Sequence, residues 1–203
     1  MVSAKAVIFD LFGTLVELTR NSRPYWSLCR PTRSVELMRQ SLVLDAPTLR
    51  DFCALSSLTP PDSVDDLQSE LDLDVAGIRL FHDSLDVLQL LKRSGIKTAL
   101  VSNLASPYRR CVADLGLAGF LDVVVFSCEV GLVKPQPAIY ELALQQLGVT
   151  SSHCLMVGDS QRCDVAGPAV VGIRGLQLRR RGGGAVGDAV QSLTEVPRFL
   201  DVC

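Results

Sequence analysis

Ala6-Val7-Ile8-Phe9-Asp10-Leu11-Phe12-Gly13-Thr14-Leu15 sets the fold class of this 203-residue chain. Val7-Ile8-Phe9 is an unbroken apolar run rich in β-formers, the pattern of a strand buried on both faces in the middle of a parallel sheet. Asp10 follows at its C-terminal end, and Gly13-Thr14 supply a turn. A carboxylate in that place is costly to bury unless it is paired or holds a cation. It also makes a good turn cap, because Asp accepts backbone N–H bonds. Position alone leaves both open.

Toward the C-terminus the same signal repeats in alternation with helices. Ser84 is placed to cap a helix bearing Leu85, Val87, Leu88, Leu90 and Leu91, which Gly95 ends. Residues 98–101 read as a strand followed by Ser102-Asn103, and Ser106-Pro107 opens a helix with Pro in its first turn. Val123–Phe126 is a strand, Pro137–Leu147 a helix stopped by Gly148, and 154–157 a strand followed by Gly158-Asp159. Residues 165–171 read as helix and 175–178 as the last strand. Strand and helix alternating through short connections predict an α/β, Rossmann-like doubly wound parallel sheet. Ligands of such sheets bind beyond the C-terminal strand ends. Asp10, Ser102-Asn103 and Asp159 all fall at that edge.

Between the first two strands lies a different stretch. Helical patterns over 34–44, 47–55 and 64–80 are separated by breaks at Pro31, Pro47 and Pro60-Pro61, and no strand is predicted there. The expected organisation is a core of residues 1–16 and 81–203 with a helical insert at 17–80.

Composition narrows the function classes. At 48% apolar residues the chain has ample material for a core, and a formal net charge of −2 gives no basic tract for nucleic acid. Arg179-Arg180-Arg181 runs into Gly182-Gly183-Gly184 and reads as a solvated loop in preference to an anion site. The first apolar run is too short for a signal peptide, and no window approaches the roughly 18 apolar residues of a membrane span. Seven cysteines lie scattered without a CxxC pair. That pattern leads us to expect a reduced, cytoplasmic protein with unpaired thiols.

Taken singly, each polar group has an ordinary alternative. Ser102-Asn103 could simply begin a loop, or offer a hydroxyl and an amide to a substrate anion. Lys134 in Gly131-Leu-Val-Lys-Pro-Gln-Pro could be a surface lysine, or a cation aimed by the extended conformation that precedes Pro. Asp159 or Ser160 could cap the next helix. Asp159 with Asp164 could instead form a hard, oxygen-rich site suited to Mg²⁺. Together, Asp10, Asp159 and Asp164 concentrate negative charge that Lys134 only partly offsets. A divalent cation would relieve that repulsion and neutralise a phosphoryl oxygen while a carboxylate attacks.

Phe9-Asp10-Leu11-Phe12-Gly13-Thr14-Leu15, Val101-Ser102-Asn103, Lys134-Pro135 with Pro137, and Val157-Gly158-Asp159-Ser160 with Asp164 resemble, in order, the four motifs of the haloacid dehalogenase-like (HAD) hydrolases. The resemblance covers nearly the whole chain. It implies Asp10 as a covalent nucleophile, Ser102 bonding the transferred group, Lys134 bridging that group to Asp10, and Thr14 and Asn103 contacting substrate. It further implies Mg²⁺ held by Asp10, Asp159 and the backbone carbonyl of Phe12, with Asp164 supporting the metal from behind. The 17–80 insert resembles a short helical cap, with Arg20, Arg23, Arg30, Arg33 and Trp26 as possible substrate contacts or simply solvated groups. The substrate implied is a small phosphorylated metabolite, with neither nucleic acid nor membrane as partner. One position departs from the phosphatase pattern. Two residues after the nucleophile, where most phosphatases of the superfamily carry an acid/base Asp, this chain has Phe12. Dehalogenases of the superfamily have an aromatic there, yet usually lack the Gly-Asp pair present here as Gly158-Asp159. Phosphatase, metal-free dehalogenase and catalytically silent binding protein all remain open, the first favoured. Without that acid the leaving group departs unprotonated, so acyl and aryl phosphates are expected over alkyl ones.

Overall fold

A computed structural model of the protein describes residues 4–30, 34–180 and 189–200. Strand β1 (Ala6–Phe9) leads into β2 (Val16–Leu18), followed by helices α1 (Pro24–Cys29), α2 (Val35–Gln40), α3 (Leu49–Leu55) and α4 (Val64–Ala76). β3 (Ile78–Leu80) returns the chain to α5 (Ser84–Arg93) and β4 (Lys97–Ser102). A 3₁₀ turn (Ser106–Arg110) runs into α6 (Cys111–Asp114), and then come β5 (Val123–Phe126), α7 (Ser127–Val130) and α8 (Pro137–Leu147). β6 (Cys154–Gly158), a π-helical turn (Gln161–Ala166), α9 (Gly167–Ala169), β7 (Arg174–Leu178) and β8 (Ala189–Val190) complete the sheet, and a 3₁₀ turn (Leu193–Phe199) follows.

The main sheet has six parallel strands in the order β5-β4-β1-β6-β7-β8. β1 lies inside it, paired with β4 on one side and β6 on the other. Its side chains alternate between two cores. Val7 and Phe9 join the cluster that reaches the α1–α4 region, while Ala6 and Ile8 pack with Ile139, Tyr140 and Met156 on the opposite face. Burial on both faces explains why β1 carries no polar alternation. The doubly wound α/β architecture expected from the sequence is therefore present.

Several local expectations change. The 17–80 region is not free of strand. β2 and β3 form an antiparallel ribbon, with Val16 opposite Leu80 and Leu18 opposite Ile78, and the α1–α4 segment leaves and returns through it. The helix expected to run to residue 80 stops at Ala76, and α1, opened by Pro24, had no strong signal. Ser84 does not cap α5. It is the first helical residue, and its hydroxyl donates to the Leu15 carbonyl at 2.7 Å. The sheet gains β8 beyond β7, and the expected 165–171 helix is divided: its first two residues end the π-turn, Gly167–Ala169 form the short α9, and 170–171 are a turn.

Arg180 is not a solvated residue. It holds buried Asp83 through two bonds of 2.8 and 3.1 Å, donates to the Thr14 carbonyl and lies 3.8 Å over the Phe81 ring. Arg181 and Gly182-Gly183-Gly184 lie outside the described residues. The six described cysteines are free thiols, as the scattered spacing suggested. Among the described residues no helix is long and apolar enough to cross a membrane.

Candidate active site

Register brings the site together. Phe9 pairs with Leu100 of β4 and Val157 of β6, so the next residue, Asp10, emerges level with Val101 and Gly158. The Asp10 amide stays in the ladder, donating to the Val157 carbonyl at 2.9 Å, while its side chain leaves the sheet edge. Ser102 lies one residue further along β4, and Asp159 is the first residue beyond β6. A cavity of about 160 Å³ is lined by Asp10, Phe12, Ser102, Asn103, Lys134, Asp159, Ser160, Cys163 and Asp164.

Lys134 is the centre of the charge arrangement. Only 4% exposed, it donates from Nζ to Asp10 Oδ1 at 2.7 Å and to Asp164 Oδ1 at 2.8 Å. Burial disfavours its charge, but the two carboxylates outweigh burial and raise its pKa, so the ammonium stays protonated. Burial pushes the Asp10 carboxyl up to about 6, with Lys134 opposing and the Asp164 and Asp159 charges reinforcing the shift. Asp159, at the exposed rim, shifts upward too, through desolvation first and the Asp164 charge second.

One oxygen from each of Asp10, Asp159 and Asp164 lies within 4.8 Å of the others. Three carboxylates against one ammonium leave an excess of negative charge. Their oxygens are hard ligands, so the donor set fits a Mg²⁺ ion. Two glycines permit this crowding. A Cβ at Gly158 would sit 2.3 Å from Asp164 Oδ2, and one at Gly13 would sit 2.4 Å from Asp159 Oδ2. Gly13 also has φ +76°, which disfavours any side chain. The π-turn is a local rearrangement frequent at functional sites. Here the Ser160 amide donates to Asp164 Oδ2 at 3.0 Å and the Cys163 amide to Ser160 Oγ at 3.2 Å, fixing Asp164 under Lys134.

The structure adds detail at three of the expected residues. Thr14 is fully buried and does not line the cavity, because the turn that holds Asp10 folds it inward and uses its carbonyl to accept from Arg180. Asn103 reaches the cavity wall, with its amide anchored to the chain. Nδ2 donates to the Lys134 carbonyl and Oδ1 accepts from the Lys134 amide, both at 2.8 Å, so Asn103 sets where Lys134 stands. Asp164 has both oxygens engaged, by Lys134 and by the Ser160 amide.

The described insert residues singled out in the sequence lie away from the carboxylates. Arg20, Arg23, Arg30 and Trp26 do not line the cavity at the carboxylates. Arg20 pairs with Glu70 and Asp74, and Arg30 lies 5.2 Å over the Trp26 ring, itself 50% exposed. Arg33 lies outside the described residues. The insert residues that approach the site are instead Asn21, Tyr25, Met38, Ser41 and Leu42, which line an adjoining cavity. Asp45 completes the contact by accepting from Ser106 Oγ and from Arg109 at 3.0 Å. Partners 60 or more positions apart leave no local signal that would have revealed this.

A model of the haloacid dehalogenase-like hydrolase family matches residues 4–172. A phosphoserine phosphatase of Thermus thermophilus is 32% identical over 102 residues, which cover 50% of this chain and 41% of that protein. The haloacid dehalogenase-like hydrolase domain-containing protein 3 of Danio rerio is 29% identical over 161 residues, 75% of this chain and 66% of that protein. Among solved structures, a HAD phosphatase from Thermococcus onnurineus shares the fold, with a TM-score of 0.72 over 98% of both chains at 24% identity.

Proposed function

From the premise that the chain belongs to the haloacid dehalogenase-like hydrolase family, we propose that it is a Mg²⁺-dependent phosphatase acting on small phosphorylated metabolites. The observation that carries this reading is Lys134 bridging Asp10 and Asp164, with Asp159 within 4.8 Å of both carboxylates. Lys134 occupies one oxygen of Asp10 and leaves the other for attack on phosphorus. The Asp10–phosphorus bond forms as the bond to the leaving oxygen breaks. Ser102, beside Asp10 at the end of β4, and the Lys134 ammonium face the non-bridging oxygens. Water then opens the aspartyl phosphate, returning the Asp10 carboxylate and inorganic phosphate. Asp10, Asp159 and the Phe12 carbonyl would hold the Mg²⁺, which supplies neutralisation of phosphoryl charge when bound. Asp164 positions Lys134 and the π-turn from behind. Residues 17–80 act as the cap.

The resemblance to a phosphoserine phosphatase supports this class of reaction, although the match spans only 41% of that relative. The buried thiols fit a reducing cytoplasmic setting. Phe12 favours a dehalogenase as a second reading, since a halide leaves unprotonated. The exposed Asp159 in the cavity wall weighs against it, because its charge would repel a haloacid carboxylate.

Asp10→Asn is the direct test. The amide is nearly isosteric and a far poorer nucleophile. Phosphate release from acetyl phosphate with Mg²⁺ is expected to vanish while the thermal melt is kept. Turnover near wild type would assign the hydrolysis to another group. Halide release from 2-haloacids without Mg²⁺ would replace the phosphatase reading by the second one.

A further inference from the structure

We infer that the substrates are aryl phosphate monoesters whose neutral, apolar leaving group sits between the insert and the core. The inference rests on the phosphatase reading and adds what the leaving group must be. A cavity of about 380 Å³ adjoins the carboxylate site and shares Phe12 and Asn103 with it. That volume falls within the ~300–1,000 Å³ of small-molecule pockets. Its walls are mostly apolar, led by Phe12, Tyr25, Tyr108, Met38 and Leu42, with neutral polar groups at Ser41 and Asn103 among others, and among the described residues no Asp, Glu, Lys or Arg lines it. The Phe12 and Tyr108 rings meet edge to face at 5.8 Å and 89°. This is a packing that a further aromatic ring extends.

Two independent features point to one class of ester. A leaving group bearing a carboxylate or second phosphate would lose part of its water here and meet no counter-charge, which is unfavourable. An aromatic ring would instead gain from removal of apolar surface from water. The second feature is chemical. Phe12 donates no proton, so the leaving oxygen departs as an anion. A phenolate, whose conjugate acid has a pKa of about 10, is far more stable than an alkoxide. In the transfer step the phosphorus–oxygen bond breaks with its electron pair on the phenolate, which takes its proton from solvent after release.

The experiment measures kcat/KM with Mg²⁺ for phenyl phosphate, phosphoglycolate and acetyl phosphate. Calorimetry with the non-hydrolysable phenylphosphonate and phosphonoacetate runs beside it. Phenyl phosphate is expected to exceed phosphoglycolate by at least about 10²-fold, the scale of a missing general acid. Phenylphosphonate should bind the more tightly of the two phosphonates. Met38→Lys places a cation in the cavity and should lower the phenyl-to-glycolate ratio by about tenfold or more, as pocket discrimination allows. Met38→Gln should keep the wild-type order, which separates charge from misfolding. Acetyl phosphate turnover with no preference for phenyl phosphate would overturn the cavity assignment and leave the phosphatase reading standing. Inert acetyl phosphate with tight phenylphosphonate would overturn the phosphatase reading, and the substrate assignment with it. Tighter phosphonoacetate would overturn the apolar cavity outright.

Discussion

Phe12 stands two residues after Asp10, wedged between the carboxylate site and the apolar cavity and packed edge-on to Tyr108. Phe12→Asp should raise hydrolysis of alkyl phosphates by at most about 10²–10⁴-fold, the range of general acid catalysis. Loss of the ring contact, worth about 0.5–1.5 kcal/mol, sets against it. Initial rates on glycerol phosphate and phenyl phosphate check the point, and an unchanged ratio of the two would show that the proton at this position does not limit turnover. Asp159 makes the second case. It is exposed and forms no ion pair among the described residues, so its charge is the one most available to an incoming cation. Asp159→Asn should weaken Mg²⁺ binding by calorimetry by at least about tenfold, as loss of a ligating carboxylate implies, and equal affinity would move the metal elsewhere. Asp10, Ser102 and Asp159 could be placed at the sheet edge because each ends or follows an apolar strand run, whereas Lys134 stood out by the Pro after it and Asp164 by its spacing five residues beyond Asp159. The inward turn of Thr14 and the anchoring of Asn103 were not legible, for a common reason. Their side chains and carbonyls answer to partners more than 30 positions away, Arg180 and Lys134, that no local pattern announces.

At the scale of elements, the insert is fastened to the core at two places. The β2–β3 ribbon carries the chain out and back, and Asp45 receives Ser106 and Arg109 from the 3₁₀ turn after β4. Hydrogen bonds and ion-pair interactions hold Asp45 below the usual carboxylate range, led by the Ser106 bond, with partial desolvation opposing and Arg109 adding to the effect. Half-exposed pairs of this kind contribute about 0–1 kcal/mol. Asp45→Ala should therefore raise KM for phenyl phosphate by no more than about fivefold and leave kcat nearly intact. A collapse of kcat instead would mean that the contact shapes the site as well as closing it. β1, β4, β5 and β6 were readable because near-continuous burial writes apolar runs, and the Pro137–Leu147 helix because buried Ile139, Tyr140, Ala143 and Leu147 recur at helical spacing, with Gly148 at φ +66° ending it where a left-handed residue is needed. The ribbon and β8 were not. Strands of three and two residues hold too few repeats of the two-residue alternation to stand out, and their pairing is set by the partner strand.

Across the whole molecule, Asp83 joins parts that are far apart in sequence. It accepts from Arg180, from Ser192 Oγ at 2.8 Å and from the Leu193 amide at 2.9 Å, at 1% exposure. Burial works against its charge, yet these donors prevail and depress its pKa below the ordinary carboxylate value. A depressed folded pKa contributes stability that is fully present above the unfolded value of about 3.9 and is lost as pH falls through the folded one. Urea midpoints of the wild type should accordingly drop below about pH 4, with Asp83→Asn flatter over the same window. At pH 7 the variant should be weaker by roughly 3 kcal/mol, since Arg180 is left largely buried without its counter-ion. Equal pH slopes would show that other carboxylates govern acid unfolding. The placement of β1, paired on both edges and buried on both faces, has a consequence of its own. Its amides find no local route to solvent, so hydrogen exchange at Val7, Ile8 and Phe9 waits for opening of the entire domain. The mount of Asp10 is therefore expected to be among the last parts of the molecule to melt.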